Sequence, residues 1–337
     1  GEDPPSVRIY FWDRTLVLIF VAETAAFGSG RSEAGRPPAA IEDQGPRAGH
    51  ESRTEGQSLA DLARAFDPQG LFLPDIHGIG YTPDGRRMVV PAHDGIRIYS
   101  EGRWLAPDVP VHDYMGFSAT ASGFYASGHP SPLSSYRNPL GLARVSEDGS
   151  DLTLLAFSGE LDFHLLAAGY HSQAVYLFNE GDQATLAAGL HYSLDDGATW
   201  TRSQADGLPG PVVQLAVHPR RAQTVAAVAG GGLFLSEDYG NRFEAVTGAR
   251  KISAAAFSPD GRYLLYAGLR LQALYLVGGI TSDLPSPPFS EADAAAFLAV
   301  SPASEQEIVV ASFRKDIFLT QDRGRNWKQI AREGLGL

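Results

Sequence analysis

The sequence predicts an all-β protein, a six-bladed β-propeller whose blades are four-stranded antiparallel sheets. An apolar strand signal recurs six times at intervals of roughly 40 to 50 residues, which is about the length of one blade. Many segments alternate apolar and polar residues, as in Gly95–Tyr99. Tight turns rich in acidic residues and glycine follow several of the predicted third strands. The predicted first strands of the blades are 77–82, 113–119, 165–170, 212–218, 252–258 and 296–301.

Three other segments are predicted before the propeller. Residues 1–27 include a basic residue and a short apolar run at 14–22, which is typical of an export signal, so we expect an exported, bacterial-type protein located in the periplasm, at the cell surface or outside the cell. The run is too short to cross a bilayer as a helix, and no transmembrane span is expected. Residues 28–57 predict a disordered linker because they contain almost nothing to bury. A short helix with its lead-in is predicted at 58–74, and the propeller at 75–337.

The acidic turns follow one pattern, Ser/Thr-x-Asp-x-Gly-x-x-aromatic, in three places: Ser193–Trp200, Ser236–Phe243 and Thr320–Trp327. The aspartate can accept hydrogen bonds from the backbone of its own turn, and the glycine can adopt a positive φ without steric cost. The aromatic ring can then be buried between neighbouring sheets. The predicted structural residues of these turns are Asp195, Gly197, Trp200, Asp238, Gly240, Phe243, Asp322, Gly324 and Trp327.

This turn pattern resembles the Asp-box, or bacterial neuraminidase (BNR), repeat, and the resemblance covers roughly residues 75–332. Asp boxes occur in propellers of sialidases, sortilin-type receptors and photosystem assembly factors. Among Asp-box proteins, the sequence resembles exported bacterial propellers that are labelled sialidase-like or glycosylhydrolase-like. The resemblance implies a propeller fold, and it implies either glycoside hydrolysis or the binding of a protein partner.

The composition excludes several classes of function. The chain has no cysteine, which rules out disulfides, thiolate metal sites and cysteine nucleophiles. Its 27 Lys and Arg against 39 Asp and Glu give a net charge of −12, and the basic residues form no stripe along the sequence. Because an acidic surface repels phosphate backbones, we expect no nucleic-acid partner.

Five of the nine histidines fall at equivalent places in the first three blades. Each stands where a first strand begins or in a loop between second and third strands, and these positions share one face of a propeller. Acidic residues accompany them. Imidazole is the commonest metal ligand in proteins, and with carboxylates it suits zinc or copper. The sequence therefore predicts a divalent transition-metal site with the candidate ligands His77, His93, His112, His129 and His164.

The residues on the face that carries the histidines are also compatible with two other functions. If the protein is an enzyme, we expect either a sialidase-like glycoside hydrolase or a metal-dependent enzyme, and a glycoside hydrolase would need two suitably spaced carboxyl groups. The candidates for catalysis are Asp113, Asp162, Asp94 and Glu180. A scaffold propeller would instead bind a protein through an exposed apolar patch.

If the ligand on this face is a small molecule or glycan, the candidates for contact with it are Tyr114, Tyr136, Arg137 and Arg314.

Overall fold

The computed structural model describes residues 6–12, 15–21, 70–181, 183 and 185–337. The chain divides into two compact units, residues 1–54 and 55–337. In the first unit, β1 (Ser6–Trp12) pairs antiparallel with β2 (Thr15–Val21).

The export signal, the linker and the short helix expected before the propeller stay predictions. The apolar run expected to direct export lies mostly in β2. The linker at 28–57 and the helix beginning at Ser58 lie outside the described residues. Within the part of the chain that is described, no helix is long and apolar enough to cross a membrane.

The described residues of the second unit form six antiparallel sheets, which confirms the predicted six-bladed propeller. In the first three blades, four strands follow one another from the central channel outward. Blade 1 contains β3 (Gly80–Tyr81), β4 (Arg87–Ala92), β5 (Gly95–Ser100) and β6 (Arg103–Leu105). Blade 2 contains β7 (Asp113–Thr120), β8 (Gly123–His129), β9 (Leu142–Val145) and β10 (Leu152–Ala156). Blade 3 contains β11 (Leu165–Ala168), β12 (Val175–Asn179), β13 (Gly189–Ser193) and β14 (Thr201–Arg202).

The last three blades repeat this order, and the sixth sheet has a fifth strand. Blade 4 contains β15 (Val212–Val217), β16 (Val225–Ala229), β17 (Gly232–Ser236) and β18 (Glu244–Arg250). Blade 5 contains β19 (Ala254–Phe257), β20 (Tyr263–Ala267), β21 (Leu271–Tyr275) and β22 (Ile280–Leu284). Blade 6 contains β23 (Ala295–Val300), β24 (Ile308–Ser312), β25 (Ile317–Thr320), β26 (Lys328–Arg332) and β27 (Leu335–Gly336).

The sequences of several second strands lack the alternation of apolar and polar residues that helped to predict the fold. Every residue of β16, β20 and β24 is buried, because these second strands pack against neighbouring sheets on both faces. Their sequences are therefore short continuous apolar runs, such as Val225–Ala229, rather than alternating ones. The core of the unit consists of such apolar layers between each pair of blades.

The ring is closed by contacts between its two ends. The first strand of blade 6, β23, lies beside the first strand of blade 1, β3. The indole Nε1–H of Trp104, on the last strand of blade 1, donates a 2.7 Å hydrogen bond to the carbonyl of Ile330 in blade 6. The backbone N–H of Leu73 donates to the carbonyl of Gly334 at 2.7 Å. The chain just before blade 1 thus binds the outer edge of blade 6.

The three acidic turns form the same hydrogen bonds. In the first, Asp195 Oδ1 accepts the N–H of Thr199 at 2.9 Å and the hydroxyl of Ser193 at 2.8 Å. The Thr199 hydroxyl also donates to Asp195 Oδ2 at 2.6 Å, and this hydrogen bond, followed by the other two, lowers the pKa of Asp195. Gly197 has a φ of 82°, in the region that favours glycine. Trp200 packs its ring against Phe157, with the ring centroids 5.3 Å apart.

Candidate functional site

Two groups of histidine and aspartate lie at the channel edge where the first strands begin. The first group is Asp75, His77 and His93, with one ligand atom from each residue within 4.8 Å of the others. Asp75 and His77 come just before β3, and His93 belongs to the two-residue turn between β4 and β5. Because that turn and the start of the first strand lie at the same end of a blade, the fold brings these residues together.

Within the first group, the two imidazole rings lie edge to face, with their centroids 4.4 Å apart. Nε2 of His93 is 3.3 Å from Oδ2 of Asp75. Nε2 of His77 is buried and makes no hydrogen bond. Burial lowers the pKa of His77 to about 4, although the nearby charge of Asp75 opposes that shift. The ring is therefore neutral and has a ring nitrogen available as a ligand.

Asp113, the first residue of β7, fixes the ring of His93. Nδ1 of His93 lies 2.9 Å from Oδ1 of Asp113, which directs Nε2 of the same ring toward Asp75. The hydrogen bond to Asp113, followed by that to Asp75, raises the pKa of His93 to about 10, so the ring is protonated without a metal and a metal ion would have to displace the proton on Nε2. Burial alone would raise the pKa of Asp75, but its hydrogen bond with His93 and the neighbouring imidazoles lower it overall.

The second group is His129, Asp162 and His164, again with ligand atoms within 4.8 Å of one another. Nε2 of His164 is 3.3 Å from Oδ1 of Asp162, and Nε2 of His129 is 3.9 Å from Oδ2. Nδ1 of His129 is 2.7 Å from Oδ1 of Asn138, in the long loop between β8 and β9. Asn138 thus fixes the ring of His129 as Asp113 fixes the ring of His93, and the two groups have the same arrangement of residues.

The two groups are neighbours. Asp113 and His129 are opposite each other in the pairing of β7 with β8, so their side chains lie on the same face of the sheet. Asp113 contacts the first group and His129 belongs to the second. His77 and His164 also line the same central channel, whose cavity of about 180 Å³ is surrounded by the first strands of all six blades.

His112, the fifth histidine predicted as a ligand, lies outside both groups. It is buried, and its Nδ1 accepts the backbone N–H of Ser131 at 2.9 Å. Its ring packs against Tyr114 and Tyr136, each with a centroid 5.8 Å away. These three side chains form the base of the long loop. Their contacts support the loop that carries Asn138.

Asp94 and Glu180 belong to neither histidine group. The carboxylate of Asp94 is buried and accepts a 2.7 Å hydrogen bond from the guanidinium of Arg97. Arg97 also donates to the carbonyl of Phe72 at 3.0 Å. Glu180 is exposed at the end of β12 and belongs to neither group. Asp94 therefore stabilises blade 1, while the adjacent His93 faces the site.

The two arginines predicted to contact a ligand are exposed. Arg137 packs its aliphatic chain close to Gly159. Arg314, in blade 6, donates from Nη1 to the carbonyl of Glu291 at 3.4 Å.

On the side of the channel opposite the histidines, Gln214 joins the first strands of three blades. Its side chain accepts the N–H of Ala255 at 2.6 Å and donates to the carbonyl of Ala296 at 3.2 Å. The histidine groups are thus confined to blades 1 to 3 among the described residues.

Asn138 is the site residue that sequence reasoning missed. It lies in an insertion with no repeat pattern, and only its place just before Pro139 at the end of the loop marks it in the sequence. Met115, two residues after Asp113, is buried at the bulge of β7.

No protein-family model and no curated protein matches the sequence. Among solved structures, the chain is similar to a GH74 enzyme of Niastella koreensis, with a TM-score of 0.52 and 15% identity over 78% of this chain and 46% of that chain. A GH74 xyloglucanase of Xanthomonas campestris gives a TM-score of 0.48 at 15% identity over 78% of this chain and 46% of that one. A structure of YCF48 bound to D1 peptide gives 0.45 at 16% identity, covering 78% and 84%. The chain thus spans less than half of the GH74 chains, and at these identities the similarity shows the propeller fold alone.

Proposed function

We propose that the chain binds divalent transition-metal ions at the two histidine–aspartate groups. The observation that carries the proposal is that each group places two imidazoles and one carboxylate with ligand atoms within 4.8 Å of one another. Imidazole nitrogens and carboxylate oxygens suit zinc and copper. The proposed ligands are Asp75, His77 and His93 in one site and His129, Asp162 and His164 in the other.

The surroundings of the groups support this proposal. In metal sites, a ligating histidine usually donates its second ring N–H to a carboxylate or carbonyl oxygen, which fixes the ring. Oδ1 of Asp113 accepts in this way from Nδ1 of His93, and Oδ1 of Asn138 accepts from Nδ1 of His129. The buried Nε2 atoms of His77 and His129 make no hydrogen bond. Because a buried ring nitrogen without a partner is costly, a metal ion would stabilise both.

Glycoside hydrolysis has less support. The channel cavity of about 180 Å³ is smaller than the roughly 300–1,000 Å³ typical of small-molecule pockets. Of the candidate carboxyl groups, Asp94 is held in a buried ion pair, while Asp113 and Asp162 face histidines. A protein-binding scaffold has no comparable feature in its favour among the described residues of this face.

We also infer that the acidic turns are Asp boxes and that the protein is exported. The shared hydrogen bonds of Asp195, Asp238 and Asp322 with the backbone of their own turns support the first inference. The apolar run at 14–22 supports the second.

Metal binding can be tested on the full chain after chelation and desalting. Zn²⁺ or Cu²⁺ is added in excess, unbound ion is removed, and the retained metal is measured by elemental analysis. We expect up to two ions per chain in the wild type, and one fewer in His77→Ala and in His164→Ala. His171→Ala is the control, because this exposed residue follows β11 at the opposite end of blade 3. Equal metal content in the wild type and in the double variant His77→Ala/His164→Ala would refute the proposal.

A further inference from the structure

Tyrosines fill the spaces between blades near the acidic turns. Between blades 2 and 3, the hydroxyl of Tyr125 donates a 2.5 Å hydrogen bond to Asp196, the residue after the turn aspartate. Between blades 3 and 4, Tyr239 occupies that turn position and stacks on Tyr192, with centroids 4.9 Å apart. Tyr192 in turn stacks on Tyr176 at 5.6 Å.

The space between blades 5 and 6 is filled in the same way. Arg323, at the same turn position, places its guanidinium 5.2 Å from the ring centre of Tyr263 and donates to the hydroxyl of Tyr275 at 2.7 Å. In all three cases, a long turn of one blade reaches back and covers a tyrosine of the blade before it. The turn residues that do so all have a positive φ.

Between blades 6 and 1 this arrangement is missing. The turn of blade 1 after β5 has only two residues, Glu101 and Gly102, with φ values of 50° and 77°. This is the short hairpin geometry favoured by glycine, and the turn has no residue at the position of Asp196, Tyr239 and Arg323. In blade 6, Leu319 precedes the turn at the position that Tyr192 has in blade 3. Neither the covering residue nor the tyrosine is present here.

A cavity of about 550 Å³ lies at this place, within the size range of small-molecule pockets. Blade 1 contributes Tyr81, Met88 and Tyr99 to its wall, and blade 6 contributes Leu319 and Trp327. The wall therefore combines apolar and aromatic surface of the kind that packs well against a flat ring.

Polar groups lie among these apolar walls. The hydroxyl of Tyr81 is buried and faces the carboxylate of Glu307. Burial, followed by the charge of Glu307 and a hydrogen bond with it, raises the pKa of Tyr81, so the phenol stays protonated. Lys328 Nζ lies 3.5 Å from the hydroxyl of Tyr99. The cavity thus offers one buried hydroxyl, one ammonium and one carboxylate to a polar substituent of a ring.

We propose that the cavity between blades 6 and 1 binds a phenol group, because tyrosines covered by a turn fill the corresponding space between three other pairs of blades and because the cavity has hydrogen-bonding groups for a hydroxyl. The phenol can belong to a tyrosine side chain of a peptide or to a small free phenol. The site lies at the end of the blades opposite the histidine groups and is independent of metal binding.

The test measures binding of three probes to the full chain by saturation-transfer NMR titration. N-acetyltyrosinamide represents a peptide tyrosine, p-cresol a free phenol, and N-acetylphenylalaninamide lacks the hydroxyl. We expect at least one of the two phenols to bind roughly tenfold more tightly than the phenylalanine amide, since one net hydrogen bond is worth about 1.4 kcal/mol at the upper end of its usual range. Preference for the tyrosine amide identifies a peptide source, and binding of p-cresol alone identifies a small phenol.

Leu319→Tyr supplies the missing ring from within the protein. We expect this variant to lose phenol binding and to melt at a higher temperature than the wild type. Val277→Tyr is the matched control, because Val277 is 91% exposed in a turn of blade 5 and its ring would leave the cavity open. Tyr81→Phe, which keeps the packing and removes only the hydroxyl, should weaken phenol binding about tenfold. The proposal is overturned if no phenol binds the wild type, if the phenylalanine amide binds equally well, or if a folded Leu319→Tyr still binds phenol.

Discussion

Nδ1 of His93 lies 2.9 Å from Oδ1 of Asp113, although the two residues are on different blades and 20 positions apart in sequence. The contact joins the turn after β4 to the first residue of β7 and leaves Nε2 of His93 facing Asp75. Asp113 is therefore a positioning residue for the proposed first metal site.

Replacing Asp113 should weaken metal binding at that site without removing it. Outer partners of metal-bound histidines are typically worth 10- to 100-fold in affinity. We expect Asp113→Ala to lower the affinity for Zn²⁺ by about that factor. Asp113→Asn, which keeps an oxygen that accepts the N–H of His93, should recover part of the loss. Isothermal titration calorimetry of metal-free protein measures both affinities.

The control for this prediction is Asn138→Ala, which removes the equivalent partner of His129. Each single variant should weaken one of two binding events and leave the other near its wild-type affinity. If Asp113→Ala and Asn138→Ala weaken the same event, or neither event, the assignment of these partners is incorrect.

Asp94 should contribute to stability and not to metal binding. Its carboxylate forms a buried ion pair with Arg97, and removing one partner of such a pair typically costs about 3–5 kcal/mol. We expect Asp94→Asn to lower the free energy of unfolding by about 3 kcal/mol in urea denaturation and to retain the wild-type number of bound ions. Glu180→Gln, at an exposed position, should change stability by less than about 0.5 kcal/mol. Loss of metal with unchanged stability in Asp94→Asn would contradict this.

The sequence predicts which end of each blade a residue occupies better than it predicts where the side chain points. His93 and Asp94 are the two adjacent residues of one turn, yet His93 is exposed toward the site and Asp94 is buried against Arg97. The order of the strands alone places both His93 and Asp94 at the end of the blade where the histidine groups lie. Which of them faces outward depends on the backbone geometry of a two-residue turn, and Arg97 has no repeat pattern that would mark it as the partner.

Features that arise from insertions and missing segments were the least predictable. Asn138 reaches His129 from a loop that belongs to no repeat, so no spacing rule locates it. The short turn at Glu101 is visible in the sequence as an incomplete copy of the longer turns. The cavity that it leaves depends on how much space the neighbouring side chains fill, and that requires coordinates.

Trp104 should be needed for ring closure. Its buried indole belongs to blade 1, packs in the core layer shared with blade 6 and donates to the carbonyl of Ile330 at 2.7 Å. We expect Trp104→Ala to destabilise the protein by about 3–5 kcal/mol, as large-to-small core substitutions do. Trp104→Phe retains most of the packing, so it should lose less stability. The difference in stability between the two variants measures the contribution of aromatic packing at this position. Thermal melts with equal losses for both variants would show that the hydrogen bond, not the packing, closes the ring.

Stability should fall in mildly acidic solution because of His218. This buried histidine accepts the backbone N–H groups of Arg220 and Arg221 at Nδ1, 3.1 and 3.0 Å away, and its Nε2 lies 3.2 Å from the carbonyl of Gly261. The neutral ring with its proton on Nε2 satisfies all three contacts, and protonation of Nδ1 would break two of them. Burial, and then the positive charge of Arg221, lower its pKa to about 4, while the charge of Asp260 opposes the shift.

An unfolded histidine has a pKa of about 6.5, so between pH 6.5 and 4 the unfolded chain binds a proton that the folded chain does not. The contribution of His218 is therefore complete above about pH 6.5 and is lost as the pH falls toward 4. We expect this residue to account for a loss of about 2 kcal/mol over that range, allowing for solvent screening. His218→Asn keeps an oxygen that can accept the same N–H groups but does not titrate. Urea denaturation at a series of pH values should show a shallower decline in this variant, and parallel curves for the variant and the wild type would exclude His218 as the source.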